Sequence, residues 1–213
     1  RDLCSIMLLD SAHIQESDAA YLNKKRRRAG QPLVEPLYTR EDTEACIGQF
    51  VGLEYETPRE IVPGLTLTLF DAGHILGASI VQLEYDDKGT KRTLVFSGDL
   101  GYRDAPLMEP AMHLDKADVV LMESTYGDRR HRSWDATRDE IIDIVASARG
   151  REGNILIPAF AVGRSQLLLY WFARHYEAAK LERWRIFLDS PMAIEASEVY
   201  WSHEHLYDDE ARR

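Results

Sequence analysis

Three short segments place an ionisable side chain just past an apolar, strand-like run. Asp71-Ala72-Gly73-His74-Ile75-Leu76-Gly77-Ala78-Ser79 follows one such run, and its glycines let the backbone turn sharply around His74. Phe96-Ser97-Gly98-Asp99-Leu100-Gly101 repeats the order of strand, glycine and carboxylate. Glu123-Ser124-Thr125-Tyr126-Gly127 ends a third apolar run. Active sites of α/β sheets collect where strands end, so His74, Asp99 and Glu123 are expected to converge at one sheet edge. A neutral imidazole and a carboxylate are suitable zinc ligands. An aspartate can bridge two metals about 3.5–4 Å apart, and such a pair can hold a hydroxide for in-line attack on a phosphodiester. Serine-based hydrolysis fits less well. Ser97 sits in Phe-Ser-Gly-Asp rather than in a G-x-S-x-G turn, and no histidine partner is evident.

The elements that must position these residues can be read from spacing. Residues 11–28 predict a helix capped by Ser11 and closed by Lys24-Lys25-Arg26-Arg27-Arg28. Those five cations suit either phosphate contact or the negative end of a helix dipole. Pro32 and Pro36 mark a loop, and Thr39 opens a short helix to about Phe50. Leu65, Leu67 and Leu69 alternate with Thr66 and Thr68, the pattern of a half-buried strand. Strands follow at 80–85 and 92–96, joined by the turn Asp86-Asp87-Lys88-Gly89, and at 118–122. Beyond residue 127 the rhythm changes to helix 134–148, strand 154–158, helix 164–179, strand 184–189, and a helix from Pro191. Strands alternating with crossover helices predict a parallel sheet.

Composition bounds the function. The 213 residues are 45% hydrophobic and 29% charged, as in ordinary soluble domains. This excludes disordered, collagen-like and disulfide-dense classes. No apolar run approaches the roughly 20 residues of a membrane helix, so no membrane partner is expected. A net charge of −10 excludes nucleic-acid binding through the whole-molecule field. Any nucleic-acid contact must therefore rest on local basic patches or on metal ions. Cys4 and Cys46 form no C-x-x-C and are expected to be buried thiols in a reducing compartment. With no targeting pattern, the expected location is cytoplasmic. Residue 1 is not Met and is not expected to be the native start.

Five motifs together resemble the metallo-β-lactamase-fold RNA-processing nucleases that carry a β-CASP domain. They are Asp71 to Ala78, Phe96 to Gly101, Glu123 to Arg129, Ile157 to Gln166, and Leu188-Asp189-Ser190-Pro191-Met192-Ala193. The family includes the cleavage-and-polyadenylation endonuclease and bacterial and archaeal relatives. The resemblance implies an α/β chain: the latter part of an αββα lactamase sandwich over residues 1–127, then the start of a parallel-sheet, Rossmann-like β-CASP domain over 128–213. It implies a zinc-dependent phosphodiester hydrolase of RNA, single-stranded by preference, acting as endonuclease or exonuclease. His74 and Asp99 are implied as metal ligands, with Asp99 bridging two Zn2+ ions, and Asp99 and Glu123 as catalytic residues. Gly163, Arg164 and Ser190 are implied at the β-CASP wall of an RNA cleft. Arg129, in the basic loop Arg129-Arg130-His131-Arg132, is a further candidate RNA contact.

The family's main metal motif, H-x-H-x-D-H, does not occur here, and family order places it ahead of residue 1. The only H-x-H pair, His203 and His205, lies on the wrong side of the chain, and His113 follows Pro110 in a loop. Each zinc needs about four ligands, so this chain alone is expected to be incomplete and inactive. Exposed apolar surface and strand edges predict oligomerisation. Two alternatives stay open: a non-catalytic RNA- or protein-binding member of the superfamily, and a lactamase-fold hydrolase of small molecules.

Overall fold

The computed structural model describes residues 1–150 and 153–213. Helix α1 runs Asp2–Arg28, so it starts well before Ser11. Ser11 is an interior residue whose hydroxyl pairs with Tyr38 Oη at 2.5 Å. The run before it is rich in leucine and methionine, which continue a helix as readily as they fill a core. The cationic end of α1 turns back on the following loop, with Arg26 Nη1 donating to Pro32 O at 3.0 Å. Helix α2, Arg40–Ile47, opens with a capping box. Thr39 Oγ1 accepts from Asp42 N, and Asp42 Oδ2 accepts from Thr39 N.

Five strands follow: β1 Arg59–Val62, β2 Leu65–Asp71, β3 Ser79–Asp87, β4 Thr90–Phe96 and β5 Val119–Leu121. They form one sheet in sequence order. β1 through β4 pair antiparallel, and β5 pairs parallel to β4. The β3–β4 hairpin turns at Lys88 and Gly89, both at positive φ, with Gly89 N bonded to Asp86 Oδ1 at 2.7 Å. This is the two-residue geometry that matches strand twist. Asp118 anchors β5. Its carboxylate accepts from Thr93 N at 2.7 Å and from Arg92 Nη1 at 2.9 Å. The Thr93 bond, then the Arg92 bond, hold that carboxyl below the usual carboxylate range.

The direction of the strands matters most for function. β2 and β4 both run opposite to β3, and β5 runs with β4. The C-terminal ends of β2, β4 and β5 therefore share one edge.

Among the described residues, three α-helices follow, α3 Trp134–Ser147, α4 Arg164–Arg174 and α5 Pro191–Ser202, with short 3-10 turns at Leu181–Arg183 and Glu204–Leu206. Helix α1 packs on α2 and α5, and α4 packs on α5. The main core joins the two ends of the sequence. Leu3, Leu76, Leu107 and Met108 pack with Ala196, Tyr200 and Tyr207. A second core gathers Val145, Trp171, Phe172, Ala179 and Leu181. A third, of Ala72, Ile80 and Val95 with Leu100 and Leu114, lies against the loops at the shared edge.

Two expected strands do not form. Segments 154–158 and 184–189 pair with no strand among the described residues. A strand is completed by a neighbour's backbone, and none lies alongside these segments: Ile155 and Trp184 pack on the second core, whereas Leu156 is 90% and Phe187 80% exposed. The expected parallel sheet of the second half is thus not built; parallel pairing is confined to β4 and β5. The cysteines also differ from expectation. Cys4 and Cys46 are both exposed, on outward faces of α1 and α2.

Candidate active-site edge

His74, Asp99 and Glu123 stand on the three loops that leave β2, β4 and β5. The backbone shows how tightly these loops are bound together. Ser97 N donates to Leu121 O at 2.9 Å, and Gly101 N donates to Ala72 O at 2.8 Å. Glu123 Oε1 accepts from Leu100 N at 2.7 Å, so the third loop grips the second by its side chain. Glu123 N donates to Ser97 Oγ at 3.0 Å, and Ser97 Oγ donates to Gly98 O at 2.7 Å. Ser97 is thus a buried bracket between loops, not a free nucleophile.

Glycine makes this closeness sterically feasible. Gly73 lies at φ +65, and a Cβ there would stand 2.6 Å from both Ala111 N and Glu109 O. A Cβ on Gly101 would strike Gly73 O and reach 2.9 Å from His74 N.

The charges are set by this packing. Hydrogen bonds from Thr125 and Leu100 hold the Glu123 carboxyl below its ordinary range, and nearby His74 adds to the effect. Glu123 therefore stays ionised at neutral pH. Asp71 behaves in the opposite way. Burial pushes its carboxyl up, the bond from Gly73 N partly offsets this, and Glu109 adds repulsion. Tyr55 donates to Ala78 O at 2.9 Å, and burial followed by repulsion from Asp71 pushes its phenol up to about 12.

The residues expected at a second wall come against the same edge. A Cβ on Gly163 would stand 2.5 Å from Ile75 Cγ2, beside His74. From α5, the buried Tyr200 accepts a hydrogen bond from Leu76 N at 3.1 Å. Gln166 ties the starts of α4 and α5. Its Oε1 accepts from Gly163 N at 2.8 Å, and its Nε2 reaches Ala161 O, Ala193 O and Ser197 Oγ. Ser190 caps α5, accepting from Ala193 N at 3.2 Å. Arg164 is exposed and has no ion pair among the described residues. Arg129 lies apart from these, beyond Glu123, in an ion pair with Asp128 at 3.0 Å.

Sequence reasoning singled out neither Tyr200 nor Gln166. Both sit on ordinary amphipathic helices, and only their tertiary partners distinguish them from core residues.

Among the described residues, no three His, Cys, Asp or Glu side chains gather closely enough to hold a metal ion. His74 and Asp99 by themselves do not fit a resident zinc pair, which needs about four ligands per ion.

Residues 165–213 match the Beta-Casp domain. The chain is similar to Ribonuclease TTHA0252 of Thermus thermophilus, 39% identical over 166 residues, covering 78% of this chain and 37% of that protein. It is also similar to Transcription termination factor FttA of Thermococcus kodakarensis, 31% identical over 208 residues, covering 95% of this chain and 29% of the relative. The FttA of Pyrococcus horikoshii is 31% identical over 206 residues, with the same coverage. The chain belongs to the β-CASP family, as its five motifs suggested. It spans about a third of the length of these relatives.

Proposed function

We propose that this chain supplies part of the site of a metal-dependent RNA phosphodiester hydrolase acting on single-stranded RNA. The observation that carries this is the meeting of the His74, Asp99 and Glu123 loops at one sheet edge, with Gly163 and Tyr200 packed against the His74 loop. The printed names of the relatives, a ribonuclease and transcription termination factors, support an RNA substrate. They give no support to a small-molecule hydrolase.

In this reading zinc is the metal, and His74 and Asp99 are two of its ligands. The described residues do not complete the set. The role of Glu123 follows from its own bonds. A carboxylate held ionised by the Thr125 hydroxyl and by N–H donors is a poor proton donor, and it serves instead to orient the group that is one. Arg164 faces solvent with its charge free to meet a phosphate, and the Ser190 hydroxyl still has its own proton to donate. Arg129 is the proposed contact beyond Glu123.

The proposed division is a partial lactamase domain over 1–127 and the start of a β-CASP domain over 128–213. In that arrangement segments 154–158 and 184–189 become strands once neighbouring strands supply their hydrogen bonds. The exposed apolar side chains on them and on β5 support association, with other parts of the protein or with a second copy. No helix is long and apolar enough to cross a membrane among the described residues; a cytoplasmic location remains part of this proposal. A second reading, an RNA-binding module without catalysis, draws on the lack of a metal-holding cluster among those residues.

The test grafts these residues into Ribonuclease TTHA0252 in place of its matching segment. The graft is expected to cleave single-stranded RNA, and both chelator and Asp99→Ala in the graft are expected to abolish cleavage. Cleavage that survives Asp99→Ala would sink the catalytic reading. A folded graft that binds RNA without cutting it would favour the second one.

A further inference from the structure

An aromatic cluster beside the candidate site belongs to none of the three cores. The ring of His131 lies between two tyrosines, with centroids 5.0 Å from Tyr102 and 4.6 Å from Tyr126. The planes are inclined at 52° and 66°, tilted against Tyr102 and edge-on against Tyr126, so the rings do not lie flat on one another. Trp134 extends the row, 6.4 Å from Tyr102. Solvent reaches the cluster: Tyr126 is 54% and Tyr102 36% exposed.

Its position is set by the loops already described. Tyr102 follows Asp99, and Tyr126 follows Glu123, by three residues each. The bond from Leu100 N to Glu123 Oε1 fixes those two loops to each other. The rings are therefore held at the rim of the edge where the three loops meet. Arginines neighbour them in sequence: Arg103 follows Tyr102, and Arg130 precedes His131, while Arg129 pairs with Asp128. Arg129 stands 5.8 Å over the Tyr126 ring, and Arg130 and Arg103 have no ion pair among the described residues. Exposed rings that contribute to no core, interleaved with arginine, suit a single-stranded nucleic acid. Bases stack on the rings and phosphates meet the guanidinium groups.

We propose that Tyr102, His131 and Tyr126 form a stacking platform for the bases of single-stranded RNA at the rim of the candidate site. This rests on the RNA reading above and adds the residues that grip the bases. Stacking ignores base identity, so the platform orients the strand without selecting its sequence.

The test uses the 213-residue chain in chelator, so that binding is read without cleavage. Fluorescence anisotropy compares a labelled RNA oligonucleotide with an abasic strand of the same length and phosphate number. The unaltered chain is expected to bind the RNA about tenfold more tightly than the abasic strand. Tyr126→Ala and Tyr126→Leu are expected to lose about tenfold for RNA and little for the abasic strand, whereas Tyr126→Phe retains binding. Arg130→Ala is expected to weaken both strands alike and to reduce the salt dependence. Circular dichroism checks that each variant is folded; with Tyr126 half exposed, each is expected to be. Equal affinity of the unaltered chain for the two strands would overturn the platform and leave RNA binding standing. Unchanged RNA affinity in both Tyr126→Ala and Tyr126→Leu would overturn it too, and would assign the patch to protein contact or to no ligand. Binding of neither strand would overturn the platform, and cleavage by the graft would then show whether the RNA reading survives.

Discussion

The sheet region, residues 59–123, and the helical region, residues 134–213, solve the same problem with unequal completeness. Every strand in the first has a neighbour, and the loops at its functional edge bond to one another. The second region contains two segments of equally strand-like composition, 154–158 and 184–189, that lie unpaired. Composition does not separate them, since Ile155-Leu156-Ile157 is as apolar as Val119-Val120-Leu121. What separates them is a partner. β5 finds the free edge of β4 and is fastened there through Asp118, whereas the other two segments meet no edge among the described residues. A strand is a property of a pair, and a chain can carry a strand's sequence without its structure.

The two regions are nevertheless joined where it matters, and Tyr200 is the joint. Tyr200→Ala should have the largest effect, about 3–5 kcal/mol of stability, because it empties a fully buried aromatic site and removes the acceptor for Leu76 N. Tyr200→Phe should cost about 1–3 kcal/mol, the penalty of stranding that buried N–H. Urea unfolding measures both. A loss below about 1 kcal/mol for Tyr200→Ala would show that the regions fold independently and would break the comparison as drawn.

Gly73→Ala tests the tightness of the sheet region alone. The added Cβ meets two backbone atoms that cannot yield, at a positive φ that alanine disfavours. A loss of about 2–3 kcal/mol is expected. A near-neutral result would mean the loops carrying His74 and Asp99 are looser than their hydrogen bonds imply.

The smallest effect is expected in the helical region. Phe187→Ser should change stability by less than about 0.5 kcal/mol, because Phe187 is already 80% exposed. It should instead reduce self-association measured by light scattering. A loss of 2 kcal/mol or more would show that segment 184–189 is buried in the folded chain, and would remove the contrast between the regions.

Much of this was legible in the residues themselves. Alternation over 65–69 and the expected strands at 80–85 and 92–96 fall inside β2, β3 and β4, although Asp86 and Asp87, expected in the turn, pair in β3. The opening of α2 follows from Thr39. Local chemistry decides such features, because their determinants lie within a few residues of each other. Strand ends marked by glycine and a carboxylate also placed His74, Asp99 and Glu123 on one edge before any coordinates. In the structure the loops that carry them leave one edge, because β2, β4 and β5 run the same way. The start of α1 was less legible, since leucine and methionine serve a helix and a core equally well.

Other features belong to tertiary structure alone. Nothing near Tyr200 in sequence marks it as the acceptor for Leu76 N, 124 residues away along the chain. Gln166 reads as a helix residue until its amide meets Gly163, Ala193 and Ser197. Ser97 reads as a spare hydroxyl until Glu123 N reaches it. The rings of Tyr102, Tyr126 and His131 come from two loops that the Glu123–Leu100, Glu123–Ser97 and Ser97–Leu121 bonds bring together. The sequence by itself determined the start of α2, the β3–β4 hairpin and the residue types at the functional edge, because short-range sterics and hydrogen bonding suffice for those. Where α1 began and α4 ended, whether 154–158 and 184–189 became strands, and which side chains met across the edge were decided only by the fold, because a hydrogen bond or a buried contact exists only when both partners are in place.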